Sequence, residues 1–281
     1  MPELPEVETI RKGLTHYLVG HTIKDVEVRS GKVFQADLSH IKAAKVKAVR
    51  RFAKVLSIDL SNGYSIVIHI KMTGQLIYRG PNLPNPPPLS PKVKGLPGKH
   101  SHVIFHLDRN GVLYYNDVRR FGWIKSMKTK DVETSGFVGK LGPEPFGKLT
   151  RERFKEIVSK FKTPIKPLLM DQQKLAGVGN IYANDACFLA KIHPKRPANS
   201  LSSKEQDTLY NSLLQVLKEG LTRGGASELS FVTAEGKDGG YQKYFLAYAQ
   251  DGKLCSRCKK EKVQRITLAG RGTFLCPHCQ K

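Results

Sequence analysis

The chain opens Met1-Pro2-Glu3-Leu4-Pro5-Glu6-Val7-Glu8, which puts an amine next to carboxylates. Methionine is usually removed before a small residue, and Pro2 would then carry a free secondary amine. An α-amino group titrates near ~8 against ~10.4 for lysine, so roughly one in ten is neutral at pH 7. A neutral amine can attack a carbonyl-like carbon and form an imine. Glu3 and Glu6 could supply the acid or base chemistry around that step. The same residues also suit a helix start. Pro5 fits a first turn, early glutamates favour the helix dipole, and Val7, Ile10, Leu14 and Leu18 follow at helical spacing. The two readings are compatible, because a helix start can present the amine.

A second set of reactive side chains lies at the other end. Cys255-x2-Cys258 and Cys276-x2-Cys279 are separated by 17 residues, a spacing suited to one structural zinc ion held by four thiolates. Disulfides are the alternative, and an intracellular chain disfavours them. His278, inside the second knuckle, is a weaker candidate ligand. Cys187 sits among helical apolar residues and is expected to be buried. Residues 264–268 and 273–275 read as strands around Ala269-Gly270-Arg271-Gly272. A zinc-stapled hairpin would then hold Arg271 at its tip, where arginine suits phosphate or simply solvent.

Lys and Arg number 47 against 24 Asp and Glu, a formal charge of +23, and the pI is about 9.9. Such an excess points to a polyanion, nucleic acid before membrane. No apolar run approaches the ~20 residues of a membrane span, and the acidic start is unlike a signal peptide. An intracellular, cytoplasmic protein is expected.

The elements that must position these groups fall into two kinds. Residues 46–52, 55–60 and 64–70 are short and β-branched, with Asn62-Gly63 as a hairpin turn. Asn110-Gly111 separates 102–107 from 112–115 in the same way. A β-sandwich with the first helix at its edge is expected. Residues 81–98, dense in Pro and Gly, read as a surface loop. After Gly142-Pro143-Glu144-Pro145, helical spacing takes over. Phe154, Ile157, Val158 and Phe161 follow Thr150 as N-cap; Leu209, Leu213, Val216, Leu217 and Leu221 follow a Ser202/Glu205 capping box. Residues 224–244 are glycine-rich and polar, and read as a long mobile loop.

Several groups suit a duplex. Arg50-Arg51-Phe52-Ala53-Lys54 lies at a strand mouth. Met72 is either a core filler or a wedge. Arg119 beside Phe121, in Asn116-Asp117-Val118-Arg119-Arg120-Phe121-Gly122, suits either insertion into a base stack or core packing. In the string 170–183, Gly177-Val178-Gly179 feeds a helix beginning at Asn180, whose free N–H groups suit a phosphate, although most such turns only join helices.

These strings, in this order, resemble the formamidopyrimidine-DNA glycosylases, which remove oxidised purines from DNA. The resemblance spans nearly the whole chain and rests on the opening Pro-Glu-Leu-Pro-Glu, the 116–122 string, the 170–183 string of a helix–two-turn–helix motif, and the cysteine hairpin. It implies an α+β fold: an N-terminal β-sandwich with its helix, a helix–two-turn–helix domain and a zinc hairpin, with DNA in a basic cleft between the halves. The expected boundaries are 1–134 for the catalytic domain, 135–149 for a linker and 150–227 for the helical domain. Residues 228–250 would be a mobile lesion-capping loop and connector, and 251–281 the zinc finger.

The resemblance also implies roles. Pro2 would be the nucleophile, Glu3 a proton donor and Glu6 a positioning carboxylate. Lys54 and Arg271 would act at the scission-site phosphates and in elimination. Lys166, Asn180 and His100 would contact phosphates. Met72, Arg119 and Phe121 would fill the space left by an everted nucleotide. The implied enzyme is a glycosidase and AP lyase of base-excision repair, a monomer on damaged double-stranded DNA, associated with the nucleoid if bacterial.

Departures from the family pattern are Val118 in place of proline, Ala247-Tyr248-Ala249-Gln250 in place of a Val-Tyr-Gly-Arg-like string, and Phe161 where some relatives have a basic residue. The zinc spacer is one residue longer, and residues 81–98 look like an insertion. Two rivals remain: an oxidised-pyrimidine glycosylase, usually with glycine where Leu4 stands, and a non-catalytic DNA-binding protein, which would lose Pro2 or Glu3.

Overall fold

Leu4, Val7, Ile10, Leu14 and Leu18 recur every three or four residues, and they form the buried face of α1 (Leu4–Leu18) in the computed structural model, which describes residues 1–281. Each such side chain contributes about 1.5–3 kcal/mol by leaving water. Glu3 caps the helix and Glu6 stands three residues on, each carboxylate taking the other's backbone N–H. The helix therefore starts where the capping box puts it.

Nine strands follow: β1 (Ile23–Val28), β2 (Phe34–Gln35), β3 (Val46–Phe52), β4 (Val55–Leu60), β5 (Tyr64–His69), β6 (Gly74–Arg79), β7 (Ser101–Leu107), β8 (Val112–Asp117) and β9 (Trp123–Lys128). They form a four-stranded sheet, β1-β7-β8-β6, and a five-stranded sheet, β2-β9-β5-β4-β3. All pairings are antiparallel except β2 with β9. Apolar residues of both sheets and of α1 make one core. The helix packs on β3, β4 and β6, the edge strands of both sheets among them, so it closes one side of the sandwich. The β7–β8 turn differs in detail from expectation. Arg109 and Asn110, not Gly111, take positive φ (53° and 58°), because the tight turn runs from Asp108 to Gly111. Asparagine tolerates that conformation better than most residues.

The chain divides into two units, residues 1–140 with 221–242, and residues 141–220 with 243–281. In the second, α2 (Arg151–Lys160) is capped by Thr150, whose hydroxyl accepts from Arg153 N at 3.1 Å. It stops before Phe161, which was expected on its face. Phe161 is the extended C-cap, and its carbonyl accepts from Asn199 N at 3.0 Å, so pairing with a distant segment takes over from the helix there. Then come α3 (Ile165–Met170), α4 (Asn180–Leu189) and α5 (Ser203–Thr222). The expected capping box of α5 is present: Ser202 N donates to Glu205 Oε2 at 2.8 Å, and Glu205 N to Ser202 Oγ at 3.3 Å. The chain ends in the hairpin β10 (Gln264–Leu268) and β11 (Arg271–Leu275). Its turn is only Ala269-Gly270, both at positive φ, so Arg271 is the first residue of β11, paired with Leu268, rather than part of a four-residue tip. No helix is long and apolar enough to cross a membrane.

Candidate active site and nucleic-acid interface

In the first unit, Pro2, Glu3 and Glu6 are buried together at the start of α1. Glu3 N donates to Glu6 Oε2 at 2.7 Å, and Ala226 N donates to Glu6 Oε1 at 2.8 Å. Both oxygens of Glu6 are thus held by backbone. Burial pulls the Met1 amine below the ordinary α-amino range; Glu3 and Glu6 pull it up, and the Lys54 ammonium pulls it down again. Lys54 is therefore electrostatically within reach of the terminus. It is buried in the two-residue turn between β3 and β4, after Ala53 at φ 52°. The turn is fastened to α1 through Arg51, whose Nε donates to Glu8 Oε2 at 2.8 Å and whose Nη1 donates to Ala53 O at 3.0 Å. Glu8, clasped also by Arg11, is held below the usual carboxylate range against the opposing effect of burial. His69 on β5 stays neutral: burial, then Lys71 and Lys54, bring it to about 3.

Met72, Arg119 and Phe121 come from two neighbouring turns, β5–β6 and β8–β9. Thr73 Oγ1 accepts from Arg119 N at 3.0 Å, which ties one turn to the other. The Arg119 guanidinium lies 4.5 Å from the centre of the Phe121 ring, and Phe121 is 50% exposed. An exposed aromatic this size is not core, so the packing alternative is set aside for Phe121. Met72 is half-buried, with its carbonyl accepting from Ser230 Oγ at 2.7 Å. His100 is also half-buried. Its carbonyl accepts from Asp117 N at 3.0 Å, and burial and then Lys99 lower its pKa.

In the second unit, two expected phosphate ligands meet the hairpin one residue past Arg271, beside its turn. Gly272 O accepts from Lys166 Nζ at 3.0 Å and from Asn180 Nδ2 at 3.1 Å. Lys166 is fully buried and also donates to Thr273 Oγ1 at 2.7 Å. One turn on from Asn180, Asn184 Oδ1 accepts from Phe274 N at 2.8 Å. One face of α4 therefore docks β11. Arg271 is exposed, and with Lys166, Pro167, Met170, Asp171, Leu268 and Ala269 it lines an open pocket of about 230 Å³.

Cys255, Cys258, Cys276 and Cys279 converge, all four sulfurs lying within 4.8 Å of one another. The Cys255–Cys279 and Cys258–Cys276 Sγ separations are 3.9 and 3.7 Å. Four sulfurs about 2.3 Å from one tetrahedral ion would lie ~3.8 Å apart, so the donor set fits zinc without rearrangement. His278 is not in the cluster. Arg257, between the first two cysteines, donates to the last carbonyls of α4, Phe188 O at 2.8 Å and Leu189 O at 3.1 Å. Cys187 is buried, as expected, and its thiol is pushed up to about 12 by loss of water.

Comparison with known proteins covers most of the chain. Residues 1–124 match the formamidopyrimidine-DNA glycosylase N-terminal domain, 141–231 its H2TH domain, and 252–281 a zinc finger found in these enzymes and in IleRS. The formamidopyrimidine-DNA glycosylase of Desulforamulus reducens is 38% identical over 288 residues, covering 100% of this chain and 99% of the relative. This chain belongs to the formamidopyrimidine-DNA glycosylase family. Its fold superposes on the crystal structure of MutM (Fpg) from Thermus thermophilus with a TM-score of 0.86 at 34% identity, covering 99% of this chain and 98% of that one. The Lactococcus lactis Fpg complexed with abasic-site DNA gives a TM-score of 0.86 at 31% identity, covering 99% of each chain. The chain is accordingly a base-excision-repair glycosylase, of a glycosylase/AP lyase family, with a four-cysteine zinc finger for one ion.

For a member of this family, two features of the site were not evident from sequence. Asp117 is fully buried under the Arg119 loop: its carboxylate accepts from Thr73 Oγ1, from Arg119 N at 3.2 Å, from Gly122 N at 2.9 Å and from Tyr115 Oη at 3.3 Å. A Cβ at Gly122 would fall 1.9 Å from the Tyr115 hydroxyl, which explains the glycine. An aspartate ahead of two arginines reads as surface charge, which hid this role. The second feature is the glycine-rich stretch expected to be a mobile loop. Phe231, Val232 and Ala234 are buried, and Gly240 N donates to Arg223 O at 2.8 Å, closing the loop on itself. Glycine richness there reflects close backbone packing as much as freedom.

Proposed function

We propose that this protein is a bifunctional glycosylase and AP lyase that excises 8-oxoguanine and formamidopyrimidines from double-stranded DNA, acting as a monomer in the cytoplasm. The observation that carries the reading is the buried terminus itself. Pro2 is buried immediately ahead of a capping carboxylate, Glu3, and in the same helix start as a second carboxylate, Glu6, whose oxygens are held by the Glu3 and Ala226 N–H groups. A carboxylate so held cannot swing away, which suits orientation of an amine.

In this reading the damaged nucleotide is everted at a cost of a few kcal/mol. Met72, Arg119 and Phe121 enter the gap and offset part of that cost. The Pro2 nitrogen bonds to C1′ as the glycosidic bond breaks and the base leaves with a proton. Glu3 gives a proton to the ring oxygen, which opens the sugar and yields an imine. The imine acidifies the 2′ carbon; loss of that proton expels the 3′ phosphate, and a second elimination expels the 5′ phosphate. Lys54 and Arg271 supply positive charge for the leaving phosphates. His100 would add a phosphate contact. Lys166 and Asn180 support Arg271 from behind, since both hold Gly272 O next to it, and the phosphate they share would be met at the α4 start. Zinc, when bound, is a structural staple, because four thiolates leave no open coordination position.

The solved relatives in complex with damaged DNA, among them the Lactococcus lactis Fpg with N7-benzyl-Fapy-dG DNA, support this substrate class. The test is borohydride trapping on duplexes carrying 8-oxoguanine. A covalent adduct is expected with protein lacking Met1. An equal yield with Met1 retained would remove Pro2 from its role. Single-turnover cutting faster on thymine glycol than on 8-oxoguanine would move the chain to the pyrimidine reading.

A further inference from the structure

Residues 81–98 contain neither helix nor strand, yet they grip a distant part of the same unit. Ser90 N donates to Gly236 O at 2.9 Å, and Ser90 Oγ to Asp238 Oδ1 at 2.7 Å. Lys92 Nζ donates to the other oxygen, Asp238 Oδ2, at 2.8 Å. Beneath these polar contacts, Val93 packs with Ile77 and Val232, and Leu96 joins them. Leu89 Cδ2 fills the space a side chain at Gly236 would need, 2.5 Å from that position.

The gripped segment leads back to the terminus. Gly239 N, next to Asp238, donates to Ser227 Oγ at 2.8 Å. Ser227 is next to Ala226, whose N–H is held by Glu6. Tyr241 N donates to Gly225 O at 3.0 Å and keeps the two limbs of the loop together. Ser90 and Lys92 are thus joined to Glu6 through Asp238, Gly239, Ser227 and Ala226, by alternating covalent and hydrogen bonds.

We propose that residues 81–98 act as a tether, in which Ser90 and Lys92 hold Asp238 and so set the position of residues 225–240 against Glu6. Ser90, Lys92 and Asp238 are then positioning residues for base excision: they touch no reacting atom but fix the loop beside the everted base. This rests on the reading of the chain as a Pro2-dependent glycosylase with residues 225–240 next to the lesion. The geometry favours such a role over simple loop packing because one carboxylate receives both a hydroxyl and an ammonium from the tether, leaving Asp238 little freedom.

The experiment pairs hydrogen exchange with two substrates. Lys92→Met, Asp238→Asn and the double variant are compared with the wild-type protein. The Lys92 and Asp238 side chains are 24% and 38% exposed, so the unit should still fold. Exchange over residues 225–240 should quicken in each variant, and the double variant should be no worse than either single one. Excision of 8-oxoguanine should slow about threefold to tenfold, the scale of one partly exposed ion pair with its hydrogen bond. Cutting of a preformed abasic site, which has no base to hold, should change far less. Unchanged exchange would overturn the tether. Faster exchange with unchanged excision, or equal slowing on both substrates, would overturn its positioning role. Wild-type protein inert on both substrates would end the glycosylase reading and that role with it, while exchange would still report the contact.

Discussion

Glu6 and Ala226 are joined by a 2.8 Å hydrogen bond across 220 residues of sequence. With the Glu3 N–H on its other oxygen, the Glu6 carboxylate is a buried joint between the start of α1 and the returning segment. Glu6→Gln puts an amide donor against one of the two N–H groups. A buried donor left unmet costs about 1–3 kcal/mol, which for a chain of this size lowers Tm by roughly 2–4 °C per kcal/mol. Calorimetry should show that drop, and borohydride trapping should slow with it. A normal Tm in the Gln variant would mean that the joint contributes nothing to stability.

The terminal amine gives a pH prediction. Burial lowers the pKa of the Met1 amine against the raising effect of Glu3 and Glu6, and a Pro2 amine in the same surroundings should be lowered likewise. The unprotonated form is the nucleophile, so the trapping rate should rise with pH and level off below the ordinary α-amino value of ~8. A rate still climbing well above that pH contradicts the burial effect.

Zinc and the hairpin should fail together. Cys258→Ser removes one of four ligands, and at such sites metal affinity is folding energy. Metal content by mass spectrometry should fall, and DNA affinity with it. Lys166→Met should keep zinc yet loosen β11, because Gly272 O and Thr273 Oγ1 lose the buried ammonium. Arg271→Ala should keep both zinc and fold, weaken binding, and flatten its salt dependence by about one unit of slope. Active protein devoid of zinc refutes the first part.

Arg119 and Asp117 should separate contact from support. An arginine beside the vacated space can donate to the acceptors of an orphaned cytosine, so wild-type protein should cut 8-oxoguanine faster opposite cytosine than opposite adenine. Arg119→Ala should erase that preference with little change in Tm. Asp117→Asn should erase it and also lower Tm, since the two donors on whichever oxygen becomes an amide lose their acceptor, at about 1–3 kcal/mol each. Equal rates opposite both bases in the wild type would remove Arg119 from discrimination.

Glu205 makes a stability prediction. Arg196, first of all, and then the Ser202 N–H and hydroxyl bring its carboxyl down to about 2, against the effect of burial. A depressed acid stabilises the fold above its unfolded pKa of ~4.3 and loses that contribution as pH falls toward about 2. The pair is partly exposed, so its worth after screening is about 1 kcal/mol or less. Glu205→Gln should therefore unfold more readily at pH 7, with the difference shrinking between about pH 4.5 and 2 in urea melts. A difference that persists at the acid end points to packing rather than charge.

What the sequence disclosed was local. The early glutamates of α1, the Thr150 and Ser202 caps, the Asn62-Gly63 hairpin and the paired cysteines each act within a few residues, and each stands where expected. Boundaries moved where competition was close, as at Phe161 and at the Ala269-Gly270 turn. What stayed hidden was distant pairing. Ser90 with Asp238 and Glu6 with Ala226 lie 148 and 220 residues apart, and no periodicity encodes such partners. Asp117 was hidden differently: three of its donors, Tyr115, Arg119 and Gly122, are close in sequence, but only the folded β8–β9 turn aims them, with Thr73 from the β5–β6 turn, at one carboxylate.

The first unit is discontinuous, residues 1–140 being completed by 221–242. On the ribosome this imposes a delay. When residue 140 has been made, the loop that receives Glu6 and Ser90 is still about a hundred residues from synthesis, roughly 5–20 s at ordinary elongation rates. Through that interval the sandwich exists without Phe231 and Ala234 in its core, and the Glu6 carboxylate lacks one backbone partner. A nascent chain arrested before residue 221 should therefore hold a looser, more protease-sensitive amino-terminal unit than the released protein, and its reactive end would be assembled last although it is translated first.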